Sequence, residues 1–584
     1  LKLLKISFWL LLALVLLALV AAAVFALTFD PNKYKGELER LVKERTGRTL
    51  QLKGPLEMAF WPSLGAKVAG VTLSERQPER EFLSLDSAHA SVALMPLLRG
   101  ELIVDRVRLS GLKAQIIKGK DGRFNFQDLT EPQGGKPAAR PEEKKPAEGG
   151  APVRFDVAGL SVERAALAYQ DLTSGQEISV SDLKLDTGRI AENAQGKLEF
   201  SAGVRRKAPP LELKVALNGN YALKPDAVAL DFSGRLDESN LKGKAVVARA
   251  EKAAHQFDID IDKINLDRYL ASSEKKQESP AAKGGAPAKP QKETDAPVDL
   301  SGLKGLNAKG RVAIGALQVQ GLKLANLKTE LNAADGRAQV GPHSANLYEG
   351  TLAGTVTLDG NANRVGLKET LSNIAVGPLL RDAAQQDKLE GRGNVALDVT
   401  AAGKTVNAMK SALAGSAKLN LRDGAIKGVD IGALLQKARS ALGKQSESAD
   451  SKQRTDFSEM SASFAIKNGV AHNEDLDVKA PLFRIGGAGD IDIGRSTINY
   501  VAKAAVVATT KGQGGRELDQ LAGLTVPVKL TGPLDSMKYE VDYKAVAGDL
   551  AKSKVGEKAK EAIDKSKEKV EDKVRDRLKG LLGR

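Results

Sequence analysis

The sequence contains no cysteine and only four histidines. The first absence excludes disulfides, thiol catalysis and zinc held by thiolates. The histidines, His89, His255, His343 and His472, are scattered, with no HExxH pair among them. No GxSxG nucleophile elbow occurs either. Gly403-Lys404-Thr405 ends like a P-loop, but Asp398 stands where that loop needs its first glycine, so the stretch reads as a turn between strand and helix. Aromatic residues make up only 4% of the chain while hydrophobic residues reach 42%, so the apolar content is mainly aliphatic. A negative balance is also missing. The net charge is +15, yet Lys and Arg are mixed with Asp and Glu along the chain and no RNA-binding aromatic motif interleaves with them. No nucleic-acid partner, metal, cofactor or enzyme activity is expected.

Glycine is abundant, at 57 residues, which suits many tight turns and argues against a mainly helical protein. At 584 residues the chain exceeds one ordinary core. Residues 6–29 carry no charge. As a helix they would extend about 36 Å, enough for a hydrocarbon layer of about 30 Å. Lys2 and Lys5 precede the run, so the N-terminus is expected in the cytoplasm and the rest of the chain across the membrane. Val24-Phe25-Ala26 offers a signal-peptide cleavage site, but the apolar run exceeds the roughly 7–15 residues of a signal core. An uncleaved anchor over 1–29 is the expectation.

The next stretch predicts a fixed exit from that anchor. Asp30 is an N-cap and Pro31 a first helical residue. Tyr34, Leu38, Leu41 and Val42 follow helical spacing, and Gly47 ends the helix. Period-two alternation then dominates, interrupted at Trp61-Pro62. LIVDRVRLSGLKAQIIKG (102–119) reads as strands meeting at Gly111. In HQFDIDIDKINLD, Asp258, Asp260 and Asp262 share an exposed strand face opposite Phe257, Ile259 and Ile261, with no calcium-loop glycine or glutamate. In GRVAIGALQVQGLKLANLKTEL (310–331), Val312 and Ile314, Leu317 and Val319, and Leu322, Leu324 and Leu327 form short alternating runs separated by small or turn residues. Helices are few: VGPLLRDAAQQ, KTVNAMKSALAG and VDIGALLQKARSALG each predict a short one.

Composition divides the chain. The expected order is anchor (1–29), helix and β-sheet (30–130), disordered linker (131–152), middle β-sheet (153–270), disordered linker (271–298), C-terminal β region (299–545) and charged amphipathic helix (546–584). Both linkers are rich in Pro, Gly, Lys, Glu and Ala, with too little apolar surface to offset ordering entropy. The last segment carries a narrow stripe that includes Val555, Ile563, Val570, Val574 and Leu578. It reads equally as a solvated helix or as one that meets a membrane or a partner.

Sheets with one aliphatic face must cover it. A second sheet would give a sandwich; a curled sheet would leave a concave trough suited to acyl chains. Periodicity alone does not separate the two.

Three ordered blocks carry a resemblance. FDPNKYKGELERLVKERTGRTLQLKGPLEMAFWPSLGAKVAGVTLS, following the apolar run, resembles the opening of the AsmA family of Gram-negative envelope proteins. PHSANLYEGTLAGTVTLDG resembles its central motif, with Tyr348-Glu349-Gly350 where Tyr-Gly-Gly is usual. LNLRDGAIKGVDIGALLQKARSAL, TDFSEMSASFAIKNGVAHNEDLDVKAPLFRIGGAGDIDIG and LTVPVKLTGPLDSMKYEVD resemble its C-terminal region. The resemblance implies an inner-membrane, single-pass protein with most of the chain in the periplasm. It implies a transmembrane helix followed by a long curled antiparallel sheet forming a hydrophobic groove; with the few short helices and the charged C-terminal helix read from the residues, the expected fold class is mainly β.

It also implies carriage of phospholipid between inner and outer membranes, in the manner of bridge-like lipid-transfer proteins, for outer-membrane lipid homeostasis. The alternative it implies is a non-enzymatic scaffold or regulator of outer-membrane protein assembly, with envelope proteins as partners. Val312, Ile314, Leu317, Val319, Leu322 and Leu324 are the candidate groove lining. Asp30, Pro31, Tyr34, Leu38 and Gly47 form the candidate membrane-exit helix.

Overall fold

A computed structural model describes residues 30–59, 63–76, 80–94, 96, 103–130, 156–208, 210–250, 253–270, 295, 297–428, 454–481, 483–507, 525–534, 536–542 and scattered positions from 545 to 571. The expected anchor, Trp61-Pro62, the 131–152 linker, residues 271–294 and the VDIGALLQKARSALG helix lie outside the described residues. Among the described residues no helix is long and apolar enough to cross a membrane. The chain divides into two units. One is Leu1–Lys263 with Arg268–Ala281, and the other is Ile264–Asp267 with Ala282–Arg584.

The first unit begins as its capping residues dictate. The Asp30 carboxylate accepts from the Asn32 amide at 3.0 Å and Pro31 opens a 3-10 turn, Pro31–Tyr34. Helix α1 (Lys35–Thr46) follows. Gly47 ends it in the left-handed region, φ 72°, its amide donating to the Lys43 carbonyl. Strands β1 (Leu50–Leu52) and β2 (Leu56–Ala59) both pair with β3 (Ser63–Ser74), which pairs with β4 (Glu81–Ala93).

Strands β5 (Ile103–Ser110) and β6 (Lys113–Lys118) do meet at Gly111, but not as a hairpin. Both pair with β4, and both run parallel to the 16-residue β7 (Asp156–Asp171). Gly111 therefore joins them end to end, at φ 67°, where a Cβ would stand 2.0 Å from an Asp86 carboxylate oxygen. This corrects the expectation of an all-antiparallel sheet. A parallel neighbour needs a crossover, and residues 119–155 supply its length, beginning with the one-turn helix α2 (Gln127–Thr130).

From β7 the unit is an antiparallel ladder in chain order: β8 (Glu177–Thr187), β9 (Gln195–Arg206), β10 (Leu211–Leu223), β11 (Ala227–Leu236), β12 (Ser239–Ala248) and β13 (His255–Asn265).

The second unit is likewise a ladder in chain order. It runs through β14 (Ala308–Val319), β15 (Leu322–Ala334), β16 (Arg337–Leu347), β17 (Gly350–Asp359), β18 (Arg364–Ala375) and β19 (Leu389–Ala402). It continues through β20 (Ala414–Lys427), β21 (Arg454–Lys467), β22 (Val470–Lys479), β23 (Phe483–Asp492), β24 (Thr497–Val506), β25 (Thr525–Pro533) and β26 (Lys538–Val541).

Two-residue turns with positive φ at both positions close several hairpins: Gln320-Gly321, Asp335-Gly336 and Asn468-Gly469. Tyr348-Glu349 adopts the same turn without glycine, at φ 44° and 67°. Its tyrosine has a task. The hydroxyl donates to Asp382 at 2.8 Å, on helix α3 (Val376–Ala384). Burial, with that carboxylate beside it, pushes the Tyr348 hydroxyl up to about 12. Tyr348→Phe is expected to cost about 1 kcal/mol, read as faster amide exchange in α3; unchanged exchange would show the bond to be idle.

The turn expected at Gly403-Lys404-Thr405 is present. Thr405 caps helix α4 (Val406–Ser411), accepting from Ala408 at 3.2 Å. The linker expected to reach residue 298 ends sooner: the Val298 amide donates to the Lys404 carbonyl and Asp295 accepts from Asn407. At the C-terminus, residues 563–569 are helical and exposed.

Candidate functional site

In the first unit, cross-strand register puts the aliphatic residues of β9–β13 on one face. Leu198 lies opposite Gly219, and Gly219 opposite Phe232. Phe232 in turn lies opposite Gly243, and Gly243 opposite Ile259. Beside this row runs Phe200, Leu217, Gly234, Leu241 and Ile261. The leucines, isoleucines and phenylalanines of these rows are only half-buried. Among the described residues, the strands' main contacts are with their hydrogen-bonded neighbours, and no second layer covers the face.

The glycines shape this surface. A Cβ on Gly243 would meet the tip of the Phe232 ring at 3.0 Å, and one on Gly234 would meet a Leu217 methyl at 2.8 Å. Large apolar side chains thus lie flat across glycines, leaving a smooth surface.

The opposite face carries charge. Asp258, Asp260 and Asp262 are exposed there, as the alternation predicts. Lys244 pairs with Asp231 at 3.8 Å and Lys242 with Asp260 at 3.7 Å. A cavity of about 830 Å³ lies between these rows, lined by Lys197, Glu199, Asn218, Asp231, Lys242 and Asp260 among others. Its lining of opposed ion pairs makes it part of a solvated face. Among the described residues no group of His, Asp or Glu could hold a metal.

In the second unit the six candidate lining residues share one face of the β14–β15 hairpin. Ile314 is opposite Leu327, Leu317 opposite Leu324, and Val319 opposite Leu322. Val312 faces Thr329. Gly315-Ala316 and Ala325-Asn326 are exposed side by side, so both strands shift their alternation at one point. This explains the broken period in the sequence. Ile314 and Leu317 are buried; the other four are half-buried.

Sequence reasoning missed a polar pair on this face. His343 Nε2 and Glu369 Oε2 are 2.9 Å apart, both side chains only 8% exposed, meeting across Gly354. A Cβ on Gly354 would lie 2.1 Å from the Glu369 oxygen. The signal available was a glycine between two polar residues on an otherwise aliphatic face.

From β20 onward one row of the aliphatic face is closed rather than open. Leu421, Met460, Val478, Ile485, Ala504 and Val526 form a continuous row, with Val478 and Val526 fully buried. Leu379 and Leu380 of α3 pack against this cluster. Among the described residues the aliphatic face is thus covered in some strands and left half-exposed in others.

The exit-helix residues stand apart from these faces. α1 is held to the first strands by polar bonds: the Leu52 amide donates to Glu39 at 2.7 Å, and Asn32 and Leu56 exchange two bonds at 2.9 and 3.1 Å. Below it Arg48 is fully buried. It donates to both Asp128 oxygens, at 2.5 and 3.0 Å, and to the Asn125 and Ser74 carbonyls.

A model of the AsmA family matches residues 1–227 and 220–476. Protein AsmA of Escherichia coli (strain K12) is 22% identical over 588 residues, covering 90% of this chain and 92% of that protein. No solved structure matches the chain significantly. The family match spans most of the sequence, through both units, and the chain belongs to the AsmA family.

Proposed function

We propose that this protein is anchored in the inner membrane by residues 6–29 and carries phospholipid through the periplasm, with acyl chains laid on the aliphatic strand faces and headgroups in water. Transfer between inner and outer membranes would then maintain outer-membrane lipid balance without any bond being made or broken. The observation that carries this reading is the half-buried face of β9–β13, uncovered among the described residues. A soluble protein gains nothing from leaving such a surface wet. Covering it with hydrocarbon recovers about 25 cal/mol per Å². In the second unit, Val312, Ile314, Leu317, Val319, Leu322 and Leu324 of the β14–β15 hairpin are the proposed lining.

Mass spectrometry of the purified full chain tests the reading. Phospholipid at stoichiometric amounts is the expected result. Val319→Asp combined with Leu324→Asp should lower it. Protein that is free of lipid yet captures outer-membrane β-barrel proteins would overturn lipid carriage in favour of an assembly scaffold.

A further inference from the structure

Helix α1 presents two faces to two different surroundings. Lys35, Glu39, Val42 and Thr46 are half-buried and lie towards β1 and β2, and Glu39 holds the Leu52 amide. Tyr34, Leu38 and Leu41 are 55%, 43% and 42% exposed. At about 100° per residue, this second stripe lies roughly a quarter turn from the docked face. Exposed large apolar side chains, Leu38 and Leu41, in line with Tyr34 on a helix already fixed to a sheet by another face mark an interaction surface.

We propose that this stripe lies in the headgroup layer of the membrane, so that α1 seats the first strands on the bilayer surface. The occupant follows from the chain itself. The uncharged run 6–29, about 36 Å as a helix, ends one residue before the Asp30 cap. A span of that length delivers α1 to the interface with no spacer. The helical segment 31–46 also carries five cations, Lys33, Lys35, Arg40, Lys43 and Arg45, against three carboxylates. That balance favours an anionic lipid surface. Apolar side chains of interfacial helices sit about 5–10 Å into the headgroup and acyl boundary. The proposal rests on the anchored reading above and adds an orientation: β1 and β2 are held beside the bilayer, not suspended from it.

The absence of cysteine makes the test direct. Leu38→Cys, Leu41→Cys and, as a control on another face, Glu44→Cys are each labelled with an environment-sensitive fluorophore. The full chain is reconstituted in vesicles of phosphatidylethanolamine and phosphatidylglycerol containing a phospholipid with a shallow spin-label quencher. Several-fold stronger quenching at 38 and 41 than at 44 is the expected result. Equal, weak quenching at all three positions, in protein that resists alkaline carbonate extraction, overturns the interfacial helix and leaves the anchor standing. Release of the chain by carbonate overturns the anchor, and this proposal with it. Circular dichroism of each labelled variant confirms that the fold is retained.

Discussion

Arg48→Met is expected to destabilise the N-terminal strands by about 1.5–3 kcal/mol, because it removes charge-assisted hydrogen bonds from a buried guanidinium to the half-buried Asp128 and to two backbone carbonyls. Arg48 is fully buried, stacks its guanidinium on the Phe82 ring at 4.8 Å and bonds four acceptors from two other segments. It joins the end of α1, the end of β3 and the start of the crossover at α2. Methionine fills the volume but supplies no donor, so Asp128 and the Asn125 and Ser74 carbonyls lose their bonds from this side chain together.

Hydrogen exchange should show protection falling locally across β1, β3 and residues 125–130, while β20–β26 stay unchanged. Unaltered protection around residue 125 would remove Arg48 from this role. The same bond predicts a pH dependence. The Arg48 hydrogen bond holds the Asp128 carboxyl below its ordinary 3.8. The stabilisation is therefore present above that value and is lost as pH falls through the lower, folded-state pKa.

The second large effect separates an open apolar face from a closed one. Leu217→Asp with Phe232→Asp places two carboxylates on a surface that is already half exposed. The fold should survive, and bound phospholipid should fall several-fold, because an ionised group in contact with hydrocarbon is strongly disfavoured. Val526→Asp buries its charge in a full core instead, and the second unit should unfold. Circular dichroism and lipid phosphorus per mole of protein read both outcomes. A folded Leu217→Asp, Phe232→Asp protein with undiminished lipid would mean that β9–β13 do not carry the acyl chains.

Much of the fold was legible because the signals were local. Asp30, Pro31 and Gly47 bounded the helix through capping chemistry. Period-two alternation placed Asp258 and Ile259 on opposite faces, and Thr405 capped a helix as its side chain allows. The parallel pairing of β5 and β6 with β7 was not legible. Their alternation is the same whichever way the neighbour runs, and the crossover passes through a segment whose composition shows no element. Nor did the sequence reveal Arg48, since Thr-Gly-Arg after a helix reads as a solvated turn until Asp128, 80 residues on, is placed beside it. The His343–Glu369 pair was hidden in the same way, its members lying two strands apart across a glycine.

The sequence by itself determined the family, the mainly β architecture, the aliphatic and polar faces of each strand, and the absence of thiol chemistry. These depend on residue type and on neighbours within a few positions. Only the tertiary structure decided which aliphatic faces are covered. Val478 and Leu217 are equivalent in an alternating pattern, yet one is sealed within a core to which α3 contributes and the other lies on a face over which no layer packs among the described residues. Burial is set by what packs across the sheet, and period-two alternation carries no record of that.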